Sequence, residues 1–343
     1  MIITKKLIFL LFIIDNQLLS ILMLHTTIGN LYIEGCIGNA SGPKCTSIEE
    51  LDELVNTLSC SLVVTKSSTI EPRIGNEEPR YGVIKEGTIN SMGIPNFGYK
   101  YYQNYINNNT SSKPIFHSII PFSNDDLTMM LLDLGNNCKT DSYFVEINLS
   151  CPNIVGKSII AYDFTKLEMY LENIHDIISN GINDNNIMFD EFMTVGIKLP
   201  PYYLLEDFIT VSKIINKYNT IKFVTCINSV INGLDVDIDT EHTIIKPKDG
   251  LGGIGGLYCL PTALANVRQF SQLLNADVIG CGGVSTGSDV FKHILCGAAF
   301  VQIGSTFMME GTSCFNRIQN ELIEIMEKKG YTKLSDFRGK LKT

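Results

Sequence analysis

Eight short apolar segments recur along the chain, and most of them are followed by a stretch long enough for a helix. Apolar runs of this length that end in small or polar residues are typical of buried strands, and their alternation with helices indicates a parallel sheet. Eight such strands in roughly 300 residues favour a closed barrel over an open doubly wound sheet. The sequence therefore predicts an α/β fold, a (β/α)8 TIM barrel. The eight predicted strands lie in residues 32–42, 61–67, 114–120, 143–150, 194–200, 222–229, 277–283 and 300–305.

The length of the chain does not by itself fix the number of domains. With 343 residues and 45% hydrophobic content, the chain can form either two domains or one α/β barrel. No stretch has the composition of a linker, and the Asn-rich segments 104–112 and 179–186 are typical of loop insertions. We therefore expect a single catalytic domain over residues 23–343.

Residues 1–22 differ from the rest of the chain. Two lysines precede the apolar run 7–14, as in a signal peptide, but Asp15 and its polar neighbours interrupt the run and no small-residue cleavage site follows. The run is also too short to span a bilayer, so stable membrane anchoring is not expected. We interpret residues 1–22 as an N-terminal extension outside the fold, with Met23 as the working start; a targeting role is the alternative.

Charge and cysteine usage exclude several classes of function. The net charge of −9 leaves no basic surface for nucleic acid. The ten cysteines include no C-x-x-C pair and lie in apolar segments, which argues against disulfides or a zinc site and favours a reducing, cytoplasmic location. The five histidines show no metal-ligand spacing, so we predict no metal site and interpret them as structural.

The predicted strands end in polar residues and glycines, which matters because active sites of such barrels gather at the carboxyl ends of the strands. Glycines follow the seventh and eighth strands, where backbone N–H groups can approach a phosphate without a Cβ in the way. This position favours a phosphate-bearing cofactor. The strand ends offer Asn39, Gly42, Lys66, Ser67, Asn148, Cys151, Lys198, Asn228, Ser229, Gly282, Gly283, Gly304 and Ser305.

Ten stretches, taken together, resemble one known enzyme family. The stretches are "NASG" (39–42), "TKSST" (65–69), "GNEEPRY" (75–81), "INSMGIPN" (89–96), "INLSCPNIVGK" (147–157), "VGIKLPPY" (195–202), "VTCINSVINGL" (224–234), "IKPKDGLGGIGGLYCLPTALANV" (245–267), "GCGGVSTG" (280–287) and "VQIGS" (301–305). In this order along the chain they resemble the class 1A dihydroorotate dehydrogenases, which are soluble flavin enzymes of pyrimidine biosynthesis. The resemblance runs from about Met23 to the end and is more specific than any single glycine motif.

The resemblance implies FMN-dependent oxidation of (S)-dihydroorotate to orotate, and it gives the thiol in "NLSCPN" a role. The substrate loses a proton and a hydride from adjacent carbons, so a base must stand opposite the flavin. Family members with cysteine at this place use it as that base, which here is Cys151. A free thiol has a pKa near ~8.5 and is partly ionised at neutral pH. The alternative is that Cys151 is a small buried apolar residue.

The same resemblance assigns the other site residues. Orotate is a flat anion rimmed with amide-like groups, which asparagines and one cation suit. Lys198 is placed near the pyrimidine edge of the flavin, where positive charge stabilises the reduced ring. The implied substrate residues are Lys66, Asn90, Ser91, Met92, Gly93, Ile94, Asn148, Asn153, Asn228 and Ser229. The implied FMN residues are Ala40, Ser41, Gly42, Lys66, Ser67, Asn148, Lys198, Ile227, Gly256, Gly282, Gly283, Gly304 and Ser305.

Some features depart from the family or leave alternatives open. After strand 114–120 the family commonly carries serine and glycine near the flavin, whereas Pro121 here removes a donor. Class 1A membership implies fumarate as electron acceptor and a homodimer. A class 1B-like catalytic subunit, or a dihydropyrimidine dehydrogenase-like flavoprotein with an iron–sulfur partner, is the alternative, although the chain has no cluster-binding cysteine pattern of its own. A barrel that has lost catalysis would not need so many polar strand ends.

Overall fold

The computed structural model describes residues 23–150, 159–183 and 185–342. Its strands are β1 (Thr26–Ile28), β2 (Leu31–Ile33), β3 (Ile37–Asn39), β4 (Val63–Val64), β5 (Tyr81–Ile84), β6 (Gly87–Asn90), β7 (Ile115–Ile119), β8 (Tyr143–Asn148), β9 (Met193–Leu199), β10 (Ile221–Cys226), β11 (Val230–Gly233), β12 (Val236–Asp237), β13 (His242–Thr243), β14 (Gly252–Gly256), β15 (Asp277–Cys281) and β16 (Phe300–Ile303). Its α-helices are α1 (Ile48–Asn56), α2 (Tyr99–Asn108), α3 (Asn124–Asn136), α4 (Phe164–Asn180), α5 (Phe189–Phe192), α6 (Leu205–Ile215), α7 (Leu260–Leu273), α8 (Gly287–Cys296), α9 (Ser305–Glu310) and α10 (Ser313–Lys329).

Eight parallel strands form the barrel, in the order β3-β16-β15-β10-β9-β8-β7-β4. Each overlaps one of the eight segments predicted from the sequence, so the (β/α)8 prediction is confirmed. The two end strands, β3 and β4, meet at a seam where Ser61 N donates to Ile37 O at 2.9 Å. The barrel is therefore nearly closed, and the carboxyl ends of its strands face one common end.

Aromatic and branched side chains fill the amino-terminal end of the barrel. Phe116 lies between Phe144 and Phe223, with ring centroids 5.3 and 4.9 Å apart. The β1–β2 hairpin packs Ile28 and Ile33 against this cluster, and both side chains are almost fully buried. A packed plug of this kind leaves space for a ligand only towards the carboxyl ends of the strands.

The outer layer consists of helices that bury one apolar stripe each against the barrel. In α4 the stripe includes Leu167, Leu171, Ile174 and Ile178, which follow the helical period. Helix α7 lies between the predicted strands 222–229 and 277–283, and α10 follows the last predicted strand. None of the helices within the described ranges is long and apolar enough to cross a membrane.

A four-stranded antiparallel sheet, β11-β14-β6-β5, lies outside the barrel order and was not predicted. Its strands are rich in glycine, which is depleted in strands generally. Here glycine is needed because the backbones approach closely: a Cβ on Gly87 would lie 2.1 Å from Gly255 O. The sheet carries Asn90 at the end of β6, where its Nδ2 donates to Gly253 O at 3.3 Å.

Candidate active site

A cavity of about 310 Å³ lies among the carboxyl ends of the barrel strands and the glycine-rich antiparallel sheet. This volume is at the lower end of the range of small-molecule sites. Residues from the first, second, fourth, fifth, sixth, seventh and eighth barrel strands, or from the loops that follow them, meet there. The predicted site residues that line the cavity are Ala40, Ser41, Gly42, Lys66, Ser67, Asn90, Met92, Ile94, Asn148, Lys198, Ile227, Asn228, Ser229, Gly256, Gly282, Gly283, Gly304 and Ser305.

Two predicted site residues do not line the cavity, and two others lie outside the described residues. Cys151 and Asn153 lie outside the described residues, so their roles stay predictions. Ser91 and Gly93 belong to the loop after β6 but do not line the cavity. Ser91 is fully buried, and its carbonyl accepts from Asn76 Nδ2 at 2.7 Å. This hydrogen bond helps to hold the loop from which the neighbouring Asn90 and Met92 reach the cavity.

A chain of hydroxyl and amide groups joins the ends of the strands. Ser67 Oγ lies 2.9 Å from both Ser41 Oγ and Ser118 Oγ. Asn148 Nδ2 donates to Ser67 Oγ at 3.1 Å. Ser118 belongs to β7, so a hydroxyl of the third barrel strand also takes part, although Pro121 just beyond it does not line the cavity.

Two asparagines hold the residue that precedes the predicted base. Asn148 Oδ1 accepts from both the backbone N (3.1 Å) and the Oγ (2.9 Å) of Ser150. Asn228 Nδ2 donates to Ser150 Oγ at 2.8 Å. Because Ser150 is fully buried and bonded from two strands, the chain enters the segment that contains Cys151 from a fixed point.

Two buried lysines bring positive charge to the cavity. Lys66 Nζ donates to Gly42 O at 3.0 Å. Lys198 lies deeper, on β9, with its Nζ 3.2 Å from Gln302 Oε1 and 3.9 Å from Glu146 Oε1. Both lysines line the cavity, so their ammonium groups suit it to an anionic or electron-rich ligand.

Three glycines bring backbone to the wall of the cavity. A Cβ on Gly304 would meet no heavy atom nearer than 3.7 Å, an ordinary contact distance, whereas a Cβ on Gly283 would lie 2.4 Å from Leu260 Cβ. Gly282 and Gly283 adopt φ values of 121° and 76°, which other residues rarely adopt. The backbone of these glycines lines the cavity at the ends of the seventh and eighth strands, where it can approach a phosphate-bearing group, and a flavin mononucleotide fits this arrangement.

Several polar residues inside the barrel were not predicted from the sequence. Glu146, Thr225 and Gln302 are fully buried and surround Lys198, and Gln302 also lines the cavity. The sequence contained a signal for two of them, because Glu146 and Gln302 interrupt otherwise apolar strands. They precede Asn148 and Gly304 by two residues, so each lies on the same side of its strand as that predicted site residue. Further lining residues that were not predicted are Pro43, Tyr81, Thr88, Gly255, Cys259, Cys281, Val284 and Met308.

The chain matches the family model described as "Dihydroorotate dehydrogenase" over residues 23–326. The chain belongs to the dihydroorotate dehydrogenase family. The resemblance to its class 1A, fumarate-dependent members is confirmed by relatives at 42–44% identity that cover most of the chain.

Similar dihydroorotate dehydrogenases come from distant organisms. The Lactococcus lactis "Dihydroorotate dehydrogenase A (fumarate)" is 43% identical over 327 residues, covering 94% of this chain and 100% of the relative. The Trypanosoma cruzi "Dihydroorotate dehydrogenase (fumarate)" is 42% identical over 308 residues, with 89% and 94% coverage. A solved dihydroorotate dehydrogenase structure from Eimeria tenella, in complex with ferulenol, superposes with a TM-score of 0.75 at 18% identity, covering 92% of this chain and 88% of that one. The last likeness concerns the fold alone.

Proposed function

We propose that this chain oxidises (S)-dihydroorotate to orotate with bound FMN and passes the electrons to fumarate, as a step of pyrimidine biosynthesis. The observation that carries the proposal is the convergence of Lys66, Asn90, Asn148 and Asn228 on one cavity, in a member of this family. A planar anion with amide edges needs one cation and several groups that can both donate and accept, which asparagine side chains provide.

The cofactor is proposed from the family and from the shape of the cavity. Gly282, Gly283 and Gly304 give the phosphate end close access to backbone. Lys198 faces the same cavity from the barrel interior and offers positive charge to the ring system. Bound FMN supplies a two-electron acceptor for the hydride of the substrate.

The remaining chemistry falls to the chain's own residues. Cys151 removes the proton from the carbon next to the ring carbonyl, on the face of the substrate opposite the flavin. Lys66 pairs with the carboxylate of the substrate, and Asn90, Asn148 and Asn228 orient its amide edges. Ser150, held by Asn148 and Asn228, fixes the start of the segment that carries the base.

The proposal is tested on the purified full chain. The released flavin is identified by mass, and orotate and succinate are quantified after anaerobic incubation with dihydroorotate and fumarate. We expect FMN and a one-to-one yield of orotate and succinate. Orotate formed only with an added iron–sulfur partner or a quinone would favour the class 1B-like alternative, and a flavin-free, inactive protein would overturn the proposal.

Assembly and location are further parts of the proposal. The family resemblance supports a homodimer in the cytoplasm, with residues 23–343 forming one FMN-binding domain and residues 1–22 outside it. Sedimentation equilibrium of the purified chain measures the mass directly, and a monomer mass at micromolar concentration would contradict the dimer. Fractionation of cells that express the full chain tests the location, and recovery in a membrane fraction would contradict it.

A further inference from the structure

Four polar side chains form a buried cluster inside the barrel, beneath the cavity. Glu146, Lys198, Thr225 and Gln302 lie on β8, β9, β10 and β16, and each is at most 2% exposed. Most of the surrounding barrel interior is apolar, so an acidic and a basic residue placed together there require an explanation.

The cluster has a defined hydrogen-bond pattern. Glu146 Oε2 accepts from Thr225 Oγ at 2.7 Å and from Gln302 Nε2 at 2.8 Å. Gln302 Oε1 in turn accepts from Lys198 Nζ at 3.2 Å. Gln302 thus bridges the carboxylate and the ammonium, with its amide orientation set by both.

The second carboxylate oxygen faces the lysine. Glu146 Oε1 lies 3.9 Å from Lys198 Nζ and accepts no hydrogen bond from any described residue. Among the described residues, the carboxylate of Glu146 contacts hydrogen-bond donors of Thr225 and Gln302, and the Lys198 ammonium lies slightly farther away. This environment suits an ionised carboxylate that acts as the counter-ion of Lys198.

Charge at Lys198 depends on such a counter-ion. Burial lowers the pKa of the Lys198 ammonium, whereas Cys281, Glu146 and Cys45, when ionised, raise it, and together these effects leave this pKa above its usual value. Burial raises the pKa of the neighbouring Cys281 and Cys45 thiols, so both are neutral at pH 7. Of these three groups, Glu146 is therefore the one that can face Lys198 as an anion at neutral pH, at 3.9 Å.

We propose that Glu146 is a positioning residue for Lys198: directly and through Gln302, it holds a charged ammonium at the floor of the cavity and thereby raises the reduction potential of the flavin bound above. The proposal rests on the proposed function for the flavin itself. A positive charge near the ring favours the electron-rich reduced form, so losing that charge lowers the potential.

A double-mutant cycle tests the proposal on the full-length holoenzyme. The midpoint potential of the flavin is measured by spectroelectrochemical titration for wild type, Glu146→Gln, Lys198→Met and the double variant. Glu324→Gln, on the exposed face of α10, is the matched control. Gln302→Met, alone and with Lys198→Met, is measured as well, because it breaks the bridge without changing the charge of Glu146.

We expect Glu146→Gln to weaken the preference for reduced flavin at least tenfold, which for a two-electron couple is a downward shift of about 30 mV. In the Lys198→Met background the same substitution should have less than a third of this effect. Glu324→Gln should leave the potential unchanged. If Glu146→Gln retains no flavin, Gln302→Met is compared with and without Lys198→Met instead. We then expect Gln302→Met alone to weaken the preference for reduced flavin at least threefold.

Three results would overturn the proposal. They are an unchanged potential, an upward shift, and an equal shift in both backgrounds. An upward shift means that the charge of Glu146 acts directly on the flavin, and an equal shift means that Glu146 acts independently of Lys198. The titration contains neither dihydroorotate nor fumarate, so failure of the proposed substrate reaction leaves this test intact. Wild-type protein that binds no flavin overturns both proposals.

Discussion

The side chain of Asn39 pairs with the backbone of Val64 as another strand would. Asn39 Nδ2 donates to Val64 O at 2.7 Å, and Asn39 Oδ1 accepts from Val64 N at 2.8 Å. Asn39 is fully buried at the end of β3, and Val64 is the last residue of β4. One amide side chain therefore supplies hydrogen bonds at the seam of the barrel.

Replacing Asn39 by alanine should destabilise the fold. The substitution leaves the N–H and C=O of Val64 buried without these partners, and each such group costs about 1–3 kcal/mol. We expect the free energy of unfolding in urea to fall by roughly 2–6 kcal/mol. Asn320→Ala, on an exposed position of α10, is the control. Equal stability of the two variants would show that the seam does not depend on Asn39.

The barrel was predictable because most of its strands are largely apolar runs that end in polar residues or glycine, a pattern that can be recognised in a single sequence. The role of Asn39 could not be predicted, because the sequence does not distinguish a polar residue that faces a ligand from one that closes the seam of the barrel. The β6–β14 pairing was also not predicted, because Gly87 and Gly256 match neither the propensity nor the hydrophobic pattern of a strand. These glycines permit a close approach of two backbones, which only the structure reveals.

The candidate site was predicted residue by residue from the family resemblance, and most of those residues line one cavity. Glu146 was not predicted as a site residue although it lies in the predicted strand 143–150. The prediction considered only the residues at the ends of the strands, and Glu146 lies deeper in the barrel. Its partners, Thr225 and Gln302, come from distant parts of the chain. A network assembled across several strands leaves only isolated polar residues in the sequence.

Lys66 should carry much of the affinity for the anionic substrate. Its buried Nζ stands in the cavity wall beside Gly42. A hydrogen bond to a charged group contributes about 1.5–3 kcal/mol, so Lys66→Met should weaken orotate binding roughly 10- to 100-fold. Titration of the flavin absorbance with orotate measures the effect, and Lys85→Met in the exposed β5–β6 turn is the control. Unchanged orotate affinity would exclude Lys66 from the carboxylate site.

Cys151, which lies outside the described residues, is tested by rapid kinetics. Cys151→Ala should retain the flavin but slow its reduction by dihydroorotate at least ~100-fold, the usual contribution of a general base. Cys151→Ser should be partly active only at higher pH, since a hydroxyl is a weaker acid than a thiol. Cys138→Ala, a half-buried thiol outside the cavity lining, is the matched control. Wild-type reduction rates in Cys151→Ala would refute the assignment.

His117 makes the stability of the fold depend on pH. Burial lowers the pKa of His117 from 6.5 to about 3, while its ring nitrogens contact Tyr143 and Ser68. The unfolded chain binds the proton first as pH falls, so stability is lost between these two values, by up to ~1.4 kcal/mol per pH unit. His293, whose pKa burial lowers to about 4, adds to the loss in the same direction.

His117→Gln should remove the part of the pH dependence of stability that His117 causes. Between about pH 4 and 5.5 the free energy of unfolding should vary with pH less steeply than in wild type, by ~1.4 kcal/mol per pH unit. Above about pH 7.5, where this histidine is neutral in both states, the two proteins should differ by a constant amount. Urea unfolding at a series of pH values measures both slopes, and identical slopes in the acid range would contradict the buried neutral His117.

Fumarate and dihydroorotate should use one cavity in turn. Fumarate and orotate are both planar conjugated carboxylates, and Lys66 with Asn90, Asn148 and Asn228 can bind either anion. Cys151, protonated in the first half-reaction, is then placed to return the proton in the second. A single site implies ping-pong kinetics, so double-reciprocal plots of dihydroorotate against fumarate should give parallel lines.

The shared cavity also predicts how inhibition and mutation behave. Orotate should compete with fumarate, and Asn90→Ala should weaken both half-reactions together, because Asn90 would contact both anions. Asn320→Ala, on the exposed face of α10, should leave both half-reactions unchanged. A quinone or a partner subunit would instead accept electrons at a separate place, and Asn90→Ala would then impair the dihydroorotate half-reaction alone. Intersecting lines, or turnover supported by a quinone or partner protein without fumarate reduction, would refute the fumarate assignment and leave only the first half-reaction.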